Sequence, residues 1–304
     1  LLDDELGELA EDFNMGDFGF DDEAADEEEA VVEDDFDPEP PEEPKAKAGQ
    51  IYKLGRHRLM CGDSTSADDV AKLMDGIKAD MVFTDPPYNV AVGSKNKLLN
   101  ELNHKKRGKR IEEDIHGDKG MTDEEVGEQI WRPAFQNMRD FANGCCSIYC
   151  TMPQGGAHMM MMMMANASWQ VKHELIWVKN QQTFSMGRLD YEYKHEPILY
   201  GWAKTHKFYG NGKFQTSVWE FPKPQSSKLH PTMKPVELVV NAIFDSSKEN
   251  DVVLDLFGGS GTTVIACEQT DRRCCMMEYE PKYIDVIIRR WELFTGQKAE
   301  LIEG

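Results

Sequence analysis

The chain has 304 residues, 40% of them hydrophobic, enough to bury a sizeable core without the disulfide or metal staples a mini-protein needs. Its formal charge of -21 would repel polyanions if spread evenly, but residues 1–48 hold 21 of the 55 acidic residues against Lys45 and Lys47 alone, and the rest carries 34 Asp/Glu and 32 Lys/Arg. There is no signal-peptide pattern and no apolar run of membrane-spanning length, so no membrane partner is expected and the sequence reads as cytoplasmic.

Residues 1–48, with Glu27-Glu28-Glu29 and a Pro/Glu run from Pro38 to Pro44, are predicted to be an acidic disordered tail or linker ahead of a body at 49–304. Phe13, Phe18, Phe20 and Phe36 within it suit docking on a protein partner or an upstream domain, against the plainer reading of a solvated linker. The chain starts at Leu1, not Met, which raises the expectation of a longer protein upstream. The seven cysteines include no Cys-x-x-Cys pair and have no His at a zinc-ligand offset. Buried free thiols, a reducing compartment and no metal site are therefore expected.

The body opens with a short apolar run, Arg58–Cys61, that ends in Gly62-Asp63. Ser66 then starts a helix whose apolar face is Val70, Leu73, Met74 and Ile77. Ala79–Thr84 reads as a buried parallel strand that delivers Asp85-Pro86-Pro87-Tyr88 at its carboxyl end, where open α/β sheets bind ligands. Two prolines remove two backbone donors and fix φ twice, so the Pro86 carbonyl is left as an acceptor beside the Asp85 carboxylate. Two acceptors and the flat ring of Tyr88 suit a planar group with an exocyclic NH2, which means a nucleobase. The competing reading is a rigid turn with Asp85 capping and Tyr88 packing.

A long irregular stretch at 90–118 follows, with Lys95, Lys97, Lys105, Lys106, Arg107, Lys109 and Arg110, and is expected to contact a phosphate backbone. Thr122 and Glu125 form a capping box for a helix running to about Phe141. Cys146–Cys150 is a strand, and the six methionines Met159–Met164 belong to a helix with a soft face and no evident chemistry. Leu175–Val178 and Tyr193–Tyr200 are further strands, with His195 and Glu196 read as positioning a loop rather than as catalytic. Residues 201–229 interleave aromatics and cations, which suits either a small target-recognition insert or a hairpin packed on the body.

His230–Pro235 leads into an apolar helix, and Val252–Leu256 is a buried strand running into Phe257-Gly258-Gly259-Ser260-Gly261-Thr262-Thr263. Glycines there let backbone approach a ligand closely. Val264 stands where a dinucleotide fingerprint needs its third glycine, which disfavours a nicotinamide oxidoreductase, and the turn lacks the lysine of a phosphate-binding loop. Cys274–Met277 is a strand ending in Glu278, placed as such folds place an acid for ribose hydroxyls, and a helix at Tyr283–Phe294 closes the pattern.

The tetrapeptide at Asp85 and the run Asp255-x-Phe257-x-Gly259-x-Gly261-Thr262-Thr263 together resemble the motifs of the S-adenosylmethionine-dependent DNA amino-methyltransferases. Their order, with Arg56–Asp63 and His230–Leu238, is similar to the circularly permuted β-class and its phage-type members, over about Ile51 to Phe294. The resemblance implies an α/β, Rossmann-like class I methyltransferase fold: a seven-stranded, mostly parallel sheet with one reversed strand. It implies S-adenosylmethionine as cofactor, with Phe257, Gly258, Gly259 and Gly261 around its methionine part and Asp255 near its ammonium group. Thr232, Lys234, Thr262 and Thr263 would lie near its carboxylate, Glu278 on its ribose and Asp63 on its adenine amino group. Asp85 and Pro86 would accept the two N–H bonds of a flipped base, with Pro87 rigidifying the loop and Tyr88 stacking on the base. Adenine N6 is preferred to cytosine N4, because the cytosine members more often carry Ser or Thr where Asp85 stands. The insert leaves little room for a recognition domain, so a short or relaxed target, a homodimer partner or an upstream segment is expected to set specificity. An RNA or protein-amide methyltransferase and an inactive DNA-binding module are the remaining alternatives.

Overall fold

The structure, a computed structural model, describes residues 31–34, 36, 40–88, 121–152, 156–182, 190–210, 215–222 and 233–304. In chain order its elements are β1 (Ile51–Leu54), β2 (His57–Cys61), α1 (Ala67–Met74), β3 (Ala79–Thr84) and α2 (Asp123–Val126). A π-helical turn at Gly127–Trp131 joins α2 to α3 (Arg132–Asp140). Then come β4 (Ala142–Thr151), α4 (Ala157–Asn166), β5 (Gln170–Val178), β6 (His195–Trp202), β7 (Val218–Glu220) and α5 (Val236–Ser246). The chain finishes with β8 (Val252–Asp255), α6 (Thr262–Gln269), β9 (Arg273–Glu278), α7 (Pro281–Thr295) and β10 (Glu300–Glu303).

The strands form one sheet of ten in the order β10-β1-β2-β9-β8-β3-β4-β6-β5-β7. Its seven inner members from β2 to β5 are the seven apolar runs of the sequence, and β6 is the one reversed strand among them. β1 and β10 add an antiparallel edge, and β7 extends the opposite edge in parallel with β5. β8 comes late in the chain yet pairs in parallel with both β9 and β3 at the middle of the sheet.

Helices cover both faces, and the period-2 alternation of the strands decides which residue meets which layer. Val82, Leu254 and Met277 face α1, α3 and α4, where Leu73, Phe135 and Met163 pack. Met81, Phe83, Val253 and Met276 face α5, α6 and α7, where Ile243, Ile265 and Trp291 pack. The methionine run finds its use here: Met160, Met163 and Met164 are buried, and a Cβ on Gly127 of the π turn would lie 3.3 Å from Met163 Cε. An unbranched, adaptable side chain fits beside that irregular turn.

Two sequence boundaries meet the structure differently than expected. The acidic stretch assigned to a tail at 1–48 includes docked residues: the Val32 amide donates to Gln269 Oε1 at 2.9 Å, the Lys45 amide donates to Asp285 Oδ2 at 2.6 Å, and Ala46 is buried. The insert expected at 201–229 splits in two. β6 is the reversed strand, so the chain leaves it at the amino ends of its parallel neighbours. There Ala203 N donates to Cys146 O, and Lys204 N to Gly144 O, remote from Asp85. Among the described residues of this stretch, β7 and those beside it return to the carboxyl ends.

Gly201 in β6 lies so close to β5 that a Cβ would sit 2.5 Å from Gln170 O. Gly201→Ala is expected to cost about 1–3 kcal/mol through overpacking of this ladder, lowering the thermal midpoint by several degrees. A calorimetric scan within a degree of wild type would contradict that close approach.

Candidate active site

β3 and β8 end side by side, and that adjacency brings the two motifs together. A cleft open to solvent is lined by Phe83, Asp85, Met233, Lys234, Val239, Asp255, Phe257, Gly258, Gly259, Ser260, Thr262 and Thr263. Asp85 continues directly from β3, the glycine turn continues from β8, and Lys234 lies just ahead of α5. Of the residues expected around a cofactor, Asp255, Phe257, Gly258, Gly259, Thr262, Thr263 and Lys234 share this cleft. Thr232 and the basic residues Lys95, Lys97, Lys105, Lys106, Arg107, Lys109 and Arg110 lie outside the described residues.

The Asp85 loop is held by several groups at once. Lys234 Nζ is 2.6 Å from Asp85 Oδ2 and 3.5 Å from Glu196 Oε2, while Glu196 Oε1 lies 2.5 Å from Lys179 Nζ. Lys234 is only 7% exposed. Burial works against its ammonium form, but Asp85 and Glu196 outweigh it and hold its pKa above the usual lysine value. The cation that the sequence assigned to the cofactor carboxylate thus lines the cleft while its nearest counter-charge is Asp85. Asp85 Oδ1 accepts from the Tyr88 hydroxyl at 2.7 Å and from the Thr151 hydroxyl. The ring of Tyr88 lies with its centroid 5.7 Å from Lys234 Nζ. Trp131, carried by the π turn, donates from Nε1 to Pro87 O at 2.9 Å. Among the described residues no group donates to the Pro86 carbonyl.

Thr151, Trp131, Lys179 and Glu196 were not identified as site residues by sequence. Thr151 had a readable signal, a polar residue ending a buried strand beside the motif strand. The two bonded groups of Glu196 had none, because its partners are far apart in the chain.

The opposite wall is built for a ligand that approaches backbone. A Cβ on Gly258 would sit 2.7 Å from Met276 Cγ, and Gly261 has φ 86°, so both positions require glycine. No side chain caps α6, whose first residues Thr262 and Thr263 line the cleft, leaving first-turn amides for an anion. Asp255 Oδ1 accepts from Phe257 N at 3.0 Å and Oδ2 accepts from the Thr263 hydroxyl at 2.6 Å. Glu278 Oε2 accepts from Gly259 N at 2.8 Å, and Oε1 accepts from Glu280 N at 2.9 Å. Asp63 lies at the end of β2, which pairs with the Glu278 strand, and its Oδ1 accepts from Thr65 N at 2.8 Å. The buried Asp255, the half-buried Glu278 and Asp63, a glycine turn and helix-start amides fit an amino-acid head group joined to a ribose.

Residues 79–289 match the DNA methylase family of N6/N4 methyltransferases, and the chain belongs to that family. It is 27% identical over 232 residues to the type II methyltransferase M.HinfI of Haemophilus influenzae, covering 69% of this chain and 62% of that protein. It is 25% identical over 235 residues to the type II methyltransferase M2.MboI of Moraxella bovis, covering 71% of this chain and 81% of that protein. The chain therefore spans less than two thirds of M.HinfI, and 44% of M.Cfr9I of Citrobacter freundii, to which it is 30% identical over 133 residues (40% of this chain). Among solved structures, M1.HpyAVI in complex with S-adenosylmethionine aligns with a TM-score of 0.53 at 20% identity, over 76% of this chain and 98% of that one. The PvuII cytosine-N4-specific DNA methyltransferase aligns with a TM-score of 0.55 at 15% identity, over 77% and 85%. The sheet is accordingly the class I methyltransferase fold.

Burial pushes the Asp255 carboxyl up from 3.8 to about 7 and the Glu278 carboxyl up from 4.5 to about 7, against the hydrogen bonds each accepts. The folded protein then binds more protons than the unfolded chain between those limits, and this contribution to stability is lost as pH rises through about 7. Glu278→Gln removes one of the two titrations. Urea midpoints of the variant are expected to gain on wild type between about pH 5 and about pH 8. A difference that does not change with pH would refute the shift at Glu278.

Proposed function

We propose that the chain transfers a methyl group from S-adenosylmethionine to the exocyclic N6 of an adenine swung out of DNA. The observation that carries the reading is one cleft shared by the Asp85 loop and the glycine turn after β8. Bound there, S-adenosylmethionine supplies an electrophilic methyl on a sulfonium. Phe257, Gly258, Gly259 and Gly261 wrap its methionine part, Asp255 takes the ammonium group, and Thr232, Thr262 and Thr263 with the α6 amides take the carboxylate. Glu278 accepts from the ribose and Asp63 from the adenine amino group.

The target nitrogen is a weak nucleophile, because its lone pair is delocalised into the ring. Asp85 and the Pro86 carbonyl would accept hydrogen bonds from its two N–H groups, favour tetrahedral geometry and stabilise the positive charge that develops as the N–C bond forms and the S–C bond breaks, the thioether leaving with that bond's electron pair and the surplus amino proton passing to water. Pro87 keeps the loop rigid, and Tyr88 supplies the face on which the base stacks. Lys234 and Thr151 keep the Asp85 carboxylate aimed, and Glu196 holds the Lys234 ammonium in place from its other side. Asp at this position, where similar cytosine enzymes more often carry Ser or Thr, favours adenine. The basic segment at 90–118 supports DNA as partner, and target contacts are assigned to 215–229 rather than to 201–210. A homodimer or an upstream segment supplies the remaining specificity, and seven free cysteines support a reducing, cytoplasmic setting.

Incubation with methyl-labelled S-adenosylmethionine and unmethylated duplex DNA, followed by nucleoside mass analysis, is expected to yield N6-methyladenine. N4-methylcytosine would overturn the base, and absence of transfer with cofactor bound would overturn the activity. Asp85→Ala is expected to lower turnover by about 10²–10³-fold with cofactor affinity retained. Lys234→Met is expected to lower turnover on a similar scale, ~10²-fold, through misplacement of Asp85. Near-normal single-turnover rates in either variant would remove that residue from its role.

A further inference from the structure

We infer that Asp34 and Arg290 are positioning residues for the cofactor turn, Asp34 reaching from the acidic amino-terminal stretch to fix the guanidinium that holds this turn and the start of α6. The inference rests on the cofactor reading proposed above.

Arg290 stands on α7 and is 1% exposed. Its guanidinium is divided between two jobs. Nε and Nη2 form a fork on Asp34, at 2.6 Å to Oδ2 and 2.5 Å to Oδ1. Nη1 donates to Ser260 O at 3.1 Å and to Thr262 Oγ1 at 3.2 Å. Ser260 and Thr262 are the glycine turn and the first residue of α6, both lining the cleft. Thr262 in turn donates from Oγ1 to Lys234 O at 3.3 Å, linking the turn to the lysine that holds Asp85. A planar, bidentate fork fixes its own orientation, so the group that pins one edge of the guanidinium aims the other.

The neighbouring residue acts on the second helix. Glu33 Oε1 accepts from Glu237 N at 3.0 Å, in the first turn of α5, whose preceding Pro235 offers no side-chain cap. The strap is also pinned from behind, where the side chain of Gln269 pairs with both backbone groups of Val32 at 2.9 Å. Phe36 lies with its ring 5.9 Å from the Arg290 guanidinium carbon. One short acidic stretch thus serves the starts of α5 and α6, the two helices that carry Lys234 and the glycine turn into the cleft.

Calorimetry with S-adenosylmethionine on the full chain tests this. Asp34→Asn is expected to weaken cofactor binding by about tenfold at a temperature where circular dichroism reports a folded protein. Asp34→Glu is expected to recover part of that loss. Wild-type affinity in folded Asp34→Asn would overturn the inference and leave the strap as an anchor. Asp34→Asn strands a buried charge, so wild-type protein supplies a second measurement, amide hydrogen exchange with and without S-adenosylmethionine. The amides of Val32, Glu33 and Asp34 are expected to gain protection together with those of residues 258–264. Protection of the turn with no change at Val32–Asp34 would also overturn it. A wild-type chain that binds no S-adenosylmethionine would instead overturn the cofactor reading, and this inference with it.

Discussion

A buried ammonium left without its counter-charge costs several kcal/mol, so a lysine in an interior cleft has to be matched in place. In this chain the match is Lys234 with Asp85, two residues 149 positions apart. Glu196 shares the cation and is itself held by Lys179, so four charges of alternating sign run from the Asp85 loop to the end of β5 and the start of β6. The arrangement keeps the Asp85 carboxylate aimed without giving it freedom to rotate. It also ties the start of α5 to the end of β3, and the cofactor turn to both through the Thr262 hydroxyl.

That pair is within reach because of the sheet. β8 and β3 pair in parallel at its centre, so their carboxyl ends open side by side, one delivering the glycine turn and the other the Asp85 loop. The order of the two motifs along the chain is immaterial to this adjacency, which is why a permuted connection leaves the site intact. Support for the loop comes from an irregularity. The π turn at Gly127–Trp131 turns the Trp131 indole onto the Pro87 carbonyl, and the methionine helix packs against the same turn.

The seven inner strands were legible because each contains a short apolar run between turn signals. The three added strands were not. β10 has no buried residue, and β7 has three residues of which only Trp219 is buried. Both exist through pairing with a strand distant in the chain, at registers such as Tyr52 with Leu301 and Trp177 with Trp219. The docking of the acidic stretch was hidden for a similar reason. Its composition argued against burial, and the Arg290 guanidinium that receives Asp34 lies 256 residues away.

By itself the sequence determined the two motifs and the residues within them, since the shape of the Pro86-Pro87 loop and of the turn through Gly258 and Gly261 is local backbone geometry that short spacing dictates. It also determined the class of fold, because alternating buried strands and amphipathic helices admit few packings. Tertiary structure alone decided which charge meets which. It put Lys234 on Asp85, drew Glu196 and Thr151 into the site, sent 203–210 to the far end of the sheet and set Asp34 on Arg290. Those pairings depend on strand order and helix placement, and ion pairs across such separations leave no periodicity in the chain to read.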